Sequence, residues 1–184
     1  MVDLETRGVE ASRLALAHRR KDAHAINQAI RSARKIAGDL EGEVLFKTRH
    51  GQRAFASGDR VVFTRNDPTL GVRNGSHGIV RQADDGSLTV ELDGSRTSRE
   101  ITISPRQYNS IDHGYATTIH KSQGATVDKT FVVSSKRMDR HLTYVAMSRH
   151  REGAKIYATP SAWRELKREK VQLRNILNRR SLRR

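Results

Sequence analysis

No cysteine occurs anywhere in the chain. A disulfide framework and a thiolate metal site are therefore excluded, and cysteine pairing says nothing of the redox compartment. Long apolar runs are missing as well, since nothing approaches the ~20 residues that a membrane-spanning helix needs. Residues 1–13 contain acids and lack the apolar core of a secretory leader. A soluble, cytoplasmic protein without membrane insertion is expected. The eight histidines include no HExxH spacing, and His120, His141 and His150 do not form a ligand set, so no metal site is expected. Acidic residues are in deficit: 20 Asp and Glu face 35 Lys and Arg, a net charge of +15. That imbalance is the footprint of a protein that neutralises phosphates, which makes a polyanion the default partner.

What is present is unevenly placed. Residues 11–37 hold seven basic side chains and one acid, and residues 161–184 hold nine and two. These stretches carry +13 of the +15 and leave the long middle of the chain nearly neutral. In the tail, Trp163, Leu166, Lys170, Leu173, Ile176 and Leu177 recur at helical spacing with Arg and Lys on the other faces. This predicts a basic amphipathic helix, able to lie along DNA, to dock on another part of the protein, or simply to fray as a terminus.

The order of elements follows from periodicity. Residues 12–18 (SRLALAH) are a short apolar run ending in a basic cluster, and Ile26, Ile30, Ala33 and Ala37 then share one helical face. Strand, loop and helix are expected, with Gly38 closing the helix. From about residue 58 to 104 the period drops to two, in RVVFT (60–64), GIV (78–80), LTVEL (88–92) and EITI (100–103). Turn signals at Asp67-Pro68, Asn74-Gly75 and Asp84-Asp85-Gly86-Ser87 separate these runs. A small β-barrel is the economical reading. After Asp112 the alternation returns: a strand at 115–118, a helix or turn through Gly124, a strand at 130–134, a helix at 142–150 and a strand at 154–158. An α/β layer interrupted by an all-β insert is expected.

Two segments carry chemistry. In residues 114–128 (GYATTIHKSQGATVD) a strand ends in His, Lys, Ser and Gln followed by Gly, so polar donors converge where the backbone turns closely enough to approach a phosphate or sugar. A lone His120 or Lys121 would be an ordinary surface residue; their combination at the end of a β-strand is the signal. In residues 142–152 (LTYVAMSRHRE), Leu142, Val145 and Ala146 would bury one helix face while Ser148, Arg149 and Arg151 emerge at the C-terminal end. Favourable placement against the helix dipole is the simpler account of Arg149.

Taken together these residues resemble the superfamily 1 helicases. TTIHKSQG resembles motif V, LTYVAMSRHR motif VI and SRLALAHRRKDAHAIN motif IV. Their order, with a β-rich insert between IV and V, is similar to the helicase half of conjugative relaxases of the TraA type, close to the RecD-like branch. The resemblance covers residues 12–158 and implies an α/β, RecA-like second motor domain, a P-loop NTPase fold without Walker A, carrying an inserted SH3-like β-barrel. It implies four segments: 11–57 as the first part of the motor domain, 58–104 as the barrel, 105–160 as the second part with motifs V and VI, and 161–184 as the basic C-terminal helix. It also implies roles. Arg149 corresponds to the finger that reaches the γ-phosphate of ATP held on the partner motor domain. Arg20 or Arg19 supplies a second phosphate sensor, and Gln123 and Gly124 sense the nucleotide. Thr117, Thr118, His120, Lys121 and Ser122 contact single-stranded DNA, and Gly124 permits close approach. On the insert, residues 65–78 carry Arg65, Asn66, Arg73, Asn74 and His77, with Arg65 and Arg73 the candidates for DNA contact. Many family members hold the ribose with an acid shortly after the glycine; here Ala125, Thr126 and Val127 precede Asp128, which argues against ribose contact.

One part is missing. No GxxxxGK[ST] occurs, and no strand ends in paired acids ready for magnesium. With 184 residues the chain is too short for a two-domain motor. ATP with Mg2+ is expected only in the complete motor, and this chain alone is not expected to hydrolyse it. The implied partners are single-stranded DNA, a first RecA-like motor domain in cis or in trans, and relaxosome proteins of conjugation. Charge and barrel alone support the alternative of a non-catalytic basic DNA- or RNA-binding module.

Overall fold

The computed structural model describes residues 12–93, 99–123, 126–134 and 138–160. The expected helix over 161–184 and the candidate Gly124 lie outside the described residues. In chain order the elements are β1 (Arg13–Ala17), α1 (Arg20–Ile36), β2 (Glu41–Thr48), β3 (Gly51–Ser57), β4 (Arg60–Phe63), β5 (His77–Asp84), β6 (Ser87–Leu92) and β7 (Arg99–Ile103). They continue with β8 (Ile111–His113), β9 (Ala116–Thr118), β10 (Val127–Val133), α2 (Arg140–Met147) and β11 (His150–Tyr157). The chain divides into two compact units, one made of residues 1–20 and 118–184, the other of residues 21–117.

The first unit is built on parallel pairing. Arg13 to Ala17 of β1 lie opposite Lys129 to Val133 of β10, and β10 pairs in parallel with β11. The sheet order is β11-β10-β1-β9. Parallel neighbours need a crossover between them, and α2 supplies it for β10 and β11. Leu14, Leu16, Ile119, Val127 and Val132 meet Leu142, Val145 and Ala146 of α2 in one core. Asp139 caps α2, accepting a hydrogen bond from the Leu142 amide at 2.8 Å. The helix stops earlier than the 142–150 reading placed it. Ser148 leaves the helical region and its amide donates back to the Tyr144 and Val145 carbonyls. β11 then starts at His150 rather than at residue 154. The cause is the sheet: the Val127 amide takes the Arg149 carbonyl at 3.0 Å, which draws the chain into pairing directly after the helix.

The second unit joins α1 to an antiparallel β assembly. Five strands run in the order β7-β6-β5-β4-β8, and β2 and β3 form a separate hairpin. Both share one core, in which Phe46 of β2 and Phe55 of β3 join Val61, Phe63, Val80, Leu88, Val90, Ile103, Tyr108 and Ile111. The β region therefore extends beyond the expected 58–104, from Glu41 to His113, and the stretch 41–57 assigned to the motor layer belongs to it. At Gly58 the backbone takes φ +89°, and a Cβ there would come within 2.5 Å of the Asp39 carbonyl oxygen, so the turn into β4 needs glycine.

α1 is seated by polar groups rather than by the expected apolar stripe. Ala23 and Asn27 are buried, Ile26 and Ile30 are half-buried, and Ala33 and Ala37 are exposed. The inward face continues into Arg31 and Arg34 because it meets carboxylates and carbonyls. Asp59, 0% exposed, accepts from Arg31 Nε at 3.1 Å, from the Ala56 amide at 2.8 Å and from the Tyr115 hydroxyl at 2.7 Å. Glu43 accepts from Arg31 and from Lys35, and Arg34 donates to the Gly58 carbonyl at 2.9 Å. Burial works against the Arg31 charge, yet Asp59 and Glu43 hold its pKa above the ordinary value. No helix among the described residues is long and apolar enough to cross a membrane.

Two outcomes are expected. Asp59→Ala strands the Arg31 charge, the Tyr115 hydroxyl and the Ala56 amide, and should cost about 3–5 kcal/mol in urea unfolding. His77 is held down at about 4 by burial and by the neighbouring Arg60 charge, so it is neutral in the fold but protonates near 6.5 when unfolded. The unfolded chain then binds the extra proton, and stability present above pH 6.5 is lost as pH falls toward 4. Unfolding midpoints of the His77→Gln variant should show this dependence reduced by up to about 1.4 kcal/mol per pH unit.

Candidate nucleic-acid interface

In a parallel sheet the strands all deliver their C-terminal ends on one side, where α/β proteins place ligands. β1 ends there in His18, Arg19 and Arg20, and β9 ends in Thr118 followed by Ile119, His120, Lys121, Ser122 and Gln123. The Ile119 amide donates to the Ala17 carbonyl at 3.0 Å, which fastens the two ends side by side. His18, Arg20, Thr118, His120 and Lys121 line a hollow of about 240 Å³. The His18 and His120 rings stand 6.5 Å apart across it. Four of the five lining side chains are basic types and none is acidic, which suits an anion with several oxygens.

The turn after β9 sorts the candidates. Its backbone closes through the Ser122 amide onto the Thr118 carbonyl at 3.0 Å and the Gln123 amide onto the His120 carbonyl at 3.4 Å. His120, Lys121 and Gln123 are exposed. Ser122 is 1% exposed and its hydroxyl donates to the Ile119 carbonyl at 2.7 Å. The expectation that Ser122 touches DNA is therefore corrected: in so short a turn its side chain falls inward and holds the turn instead. Thr118 is buried but keeps a face on the hollow, and its hydroxyl accepts from the Lys121 amide at 3.4 Å. Thr117 is half-buried on β9, and Arg19 and Arg20 are exposed.

Arg149 stands on the two-residue link between α2 and β11. Its Nε donates to the Val145 carbonyl at 3.1 Å and its terminal nitrogen to the Ser148 hydroxyl at 3.0 Å, with the side chain partly exposed. It satisfies the helix end, as the dipole account anticipates, while its guanidinium keeps donors to spare. Asp128 is committed to the fold. It accepts from the Ser12 amide and hydroxyl, each at 2.8 Å, and from Arg151 at 3.2 Å. Those Ser12 hydrogen bonds, with Arg151, hold its carboxyl below the usual carboxylate range. Arg65 and Arg73 belong to the β assembly, both exposed on the loop between β4 and β5.

One residue escaped the sequence reading. Asn27, buried on α1, donates to the Ala116 carbonyl at 2.8 Å and accepts from the Ala116 amide at 2.9 Å. Its side-chain amide thus pairs with β9 as a neighbouring strand would, and it also donates to the Ala23 carbonyl at 2.9 Å. The only signal was a polar residue one position after Ile26. Asn27→Leu conserves bulk but leaves both Ala116 groups unpaired, so a loss of about 2–4 kcal/mol is expected, together with faster hydrogen exchange at the Ala116 amide.

Residues 56–158 match the model of the viral superfamily 1 RNA helicase core domain. The chain is 46% identical over 144 residues to a probable conjugal transfer protein TraA of Sinorhizobium fredii, covering 78% of the chain and 13% of that relative. It is 30% identical over 122 residues to the ATP-dependent RecD2 DNA helicase of Deinococcus radiodurans, 64% of the chain and 16% of that protein. Among solved structures, the Pif1 helicase from Bacteroides in complex with ADP-AlF3 and ssDNA superposes with a TM-score of 0.60 at 23% identity, covering 92% of the chain and 47% of the other. That likeness establishes the fold, a RecA-like α/β layer with a parallel sheet. The chain belongs to the superfamily 1 helicases and is related to the TraA conjugal transfer proteins and to the RecD and Pif1 helicases.

Proposed function

We propose that this chain is the second motor domain of an ATP-dependent DNA translocase of the conjugative relaxase type, with a first motor domain as its partner in cis or in trans. The observation that carries the reading is the basic hollow at the C-terminal ends of β1 and β9, where motif IV and motif V side chains meet. His120 and Lys121, with Thr117 and Thr118, bind the backbone of single-stranded DNA. Arg20, seconded by Arg19, and the Gln123–Gly124 turn respond to the nucleotide. Arg149 completes the catalytic arrangement across the domain boundary.

The residues present fit such a role toward ATP and Mg2+ without holding them alone. Cationic side chains lie at strand ends where phosphate oxygens would arrive, and Arg149 turns outward by releasing the Val145 carbonyl and the Ser148 hydroxyl. ATP, gripped by the other domain, supplies the phosphoryl group whose departure drives the cycle. Arg149 brings a permanent, planar charge to the oxygens that gain negative charge in that step. Asp128 is spent on Ser12 and Arg151, which supports the absence of a ribose contact from this chain. The β assembly corresponds in this reading to an SH3-like accessory barrel. Cytoplasmic relaxosome proteins are the expected company of the whole protein.

The test joins this chain to a Walker A domain of a TraA-type relative and measures ATP hydrolysis with and without single-stranded DNA. DNA-stimulated turnover is expected. Arg149→Ala should lower turnover by about 10³-fold or more while DNA affinity stays within about twofold. A variant with weakened DNA binding and intact turnover would refute the finger.

A further inference from the structure

α1 devotes one face to a single short stretch of chain. Asn27, Arg31 and Arg34 stand at i, i+4 and i+7, so their side chains leave the helix in one direction. The Asn27 side-chain amide donates to the Ala116 carbonyl at 2.8 Å and accepts from the Ala116 amide at 2.9 Å. Arg31 reaches Asp59 at 3.1 Å, and Asp59 accepts from the Tyr115 hydroxyl at 2.7 Å. The Arg34 guanidinium lies over the Tyr115 ring, 5.8 Å from its centre. Successive turns of the helix therefore hold residues 115 and 116, and all these residues belong to the second unit.

The Asn27 contact differs in kind from the other two. Arg31 and Arg34 act on the Tyr115 side chain, which can swing while the chain beneath it stays put. Asn27 grips both polar groups of the Ala116 backbone. Its remaining amide hydrogen goes to the Ala23 carbonyl at 2.9 Å, which locks the side chain against its own helix. Hydrogen bonds weaken steeply when misaligned, so this donor and acceptor pair resists sliding in a way that apolar contact does not. A displacement of α1 along its axis must carry Ala116 with it or break both bonds.

Residues with proposed roles stand at the two ends of this connection. Arg20, which responds to the nucleotide in the proposal above, is the first residue of α1 and precedes Asn27 by about 10 Å of rigid helix. Thr117 and Thr118, proposed to meet single-stranded DNA, follow Ala116 directly in β9. We infer that Asn27 is a positioning residue, the link through which a nucleotide-driven shift of α1 moves the DNA contacts of β9. This inference rests on the roles proposed for Arg20, Thr117 and Thr118, and supplies the part between them. The competing route is the hydrogen bond from the Ile119 amide to the Ala17 carbonyl, which joins the strand ends directly. That bond ties β9 to a strand paired with β10 along its whole length, so β1 has little freedom to move.

The experiment takes this chain joined to a Walker A domain of a TraA-type relative and measures single-strand affinity by anisotropy, without nucleotide and with a non-hydrolysable ATP analogue. The ratio of the two affinities is the coupling, and by linkage it equals the ratio of analogue affinities with and without DNA. The unsubstituted motor should show a ratio of about tenfold, and Asn27→Leu should bring it within about twofold of one. Each ligand measured alone should bind the variant within about threefold of the unsubstituted motor, because uniform contacts are untouched when only the coupling is lost. Leu88→Ala opens a cavity in the core of the same unit and lowers the melting temperature without touching the link, so its ratio should stay unchanged. If Asn27→Leu melts below the assay temperature, Asn27→Asp is read instead. It keeps the volume and the acceptor for the Ala116 amide, loses the donor to the Ala116 carbonyl, and should lower the ratio at least about threefold. A ratio preserved in the Asn27 variants would assign the coupling to the Ala17 and Ile119 bond, and a ratio lost equally in Leu88→Ala would make Asn27 merely structural. Either result overturns the inference and leaves the proposed function standing. Absence of coupling in the unsubstituted motor overturns both.

Discussion

The Asp59 carboxylate is out of solvent, and three separate elements must each bring it a donor. A buried charge left short of partners costs several kcal/mol, so the arrival of Arg31, the Ala56 amide and the Tyr115 hydroxyl is not optional. Arg31 fixes the rotation of α1, Ala56 fixes the turn from β3 to β4, and Tyr115 fixes the chain as it enters β9. Burial and the adjacent carboxylate push the Tyr115 pKa well up, so the phenol remains a donor at any physiological pH. Through this one group α1 and the antiparallel assembly acquire a common register within the second unit.

That dependence explains which parts were legible in the sequence. The parallel layer announced itself through β-branched runs and through polar clusters at strand ends, because those strands bury apolar residues in the ordinary way. α1 did not. Its apolar stripe pointed to Ala33 and Ala37, whereas the helix turns Asn27 and Arg31 inward to meet Ala116 and Asp59. Periodicity counts apolar side chains and is blind to a helix seated by hydrogen bonds. The hairpin of β2 and β3 was hidden for a related reason: Glu41, Glu43, Lys47 and Arg53 sit among Val44, Phe46 and Phe55, and the charges obscured an alternation that the core plainly uses.

At the site the same distinction applies residue by residue. The cluster after β9 was visible as chemistry, yet which members face outward depended on a turn too short to read from composition, and Ser122 went inward. Arg149 was visible as the basic end of a helix, but its place on a two-residue link rather than within the helix follows from Val127 claiming its carbonyl.

Asn27 has a further consequence. β9 stands at the border of its sheet, and a border strand ordinarily offers its amides and carbonyls to any extended chain that drifts past. At Ala116 both groups are already taken by the Asn27 amide. A side chain has been set where a further strand would dock, so at Ala116 the border has no backbone group left to offer.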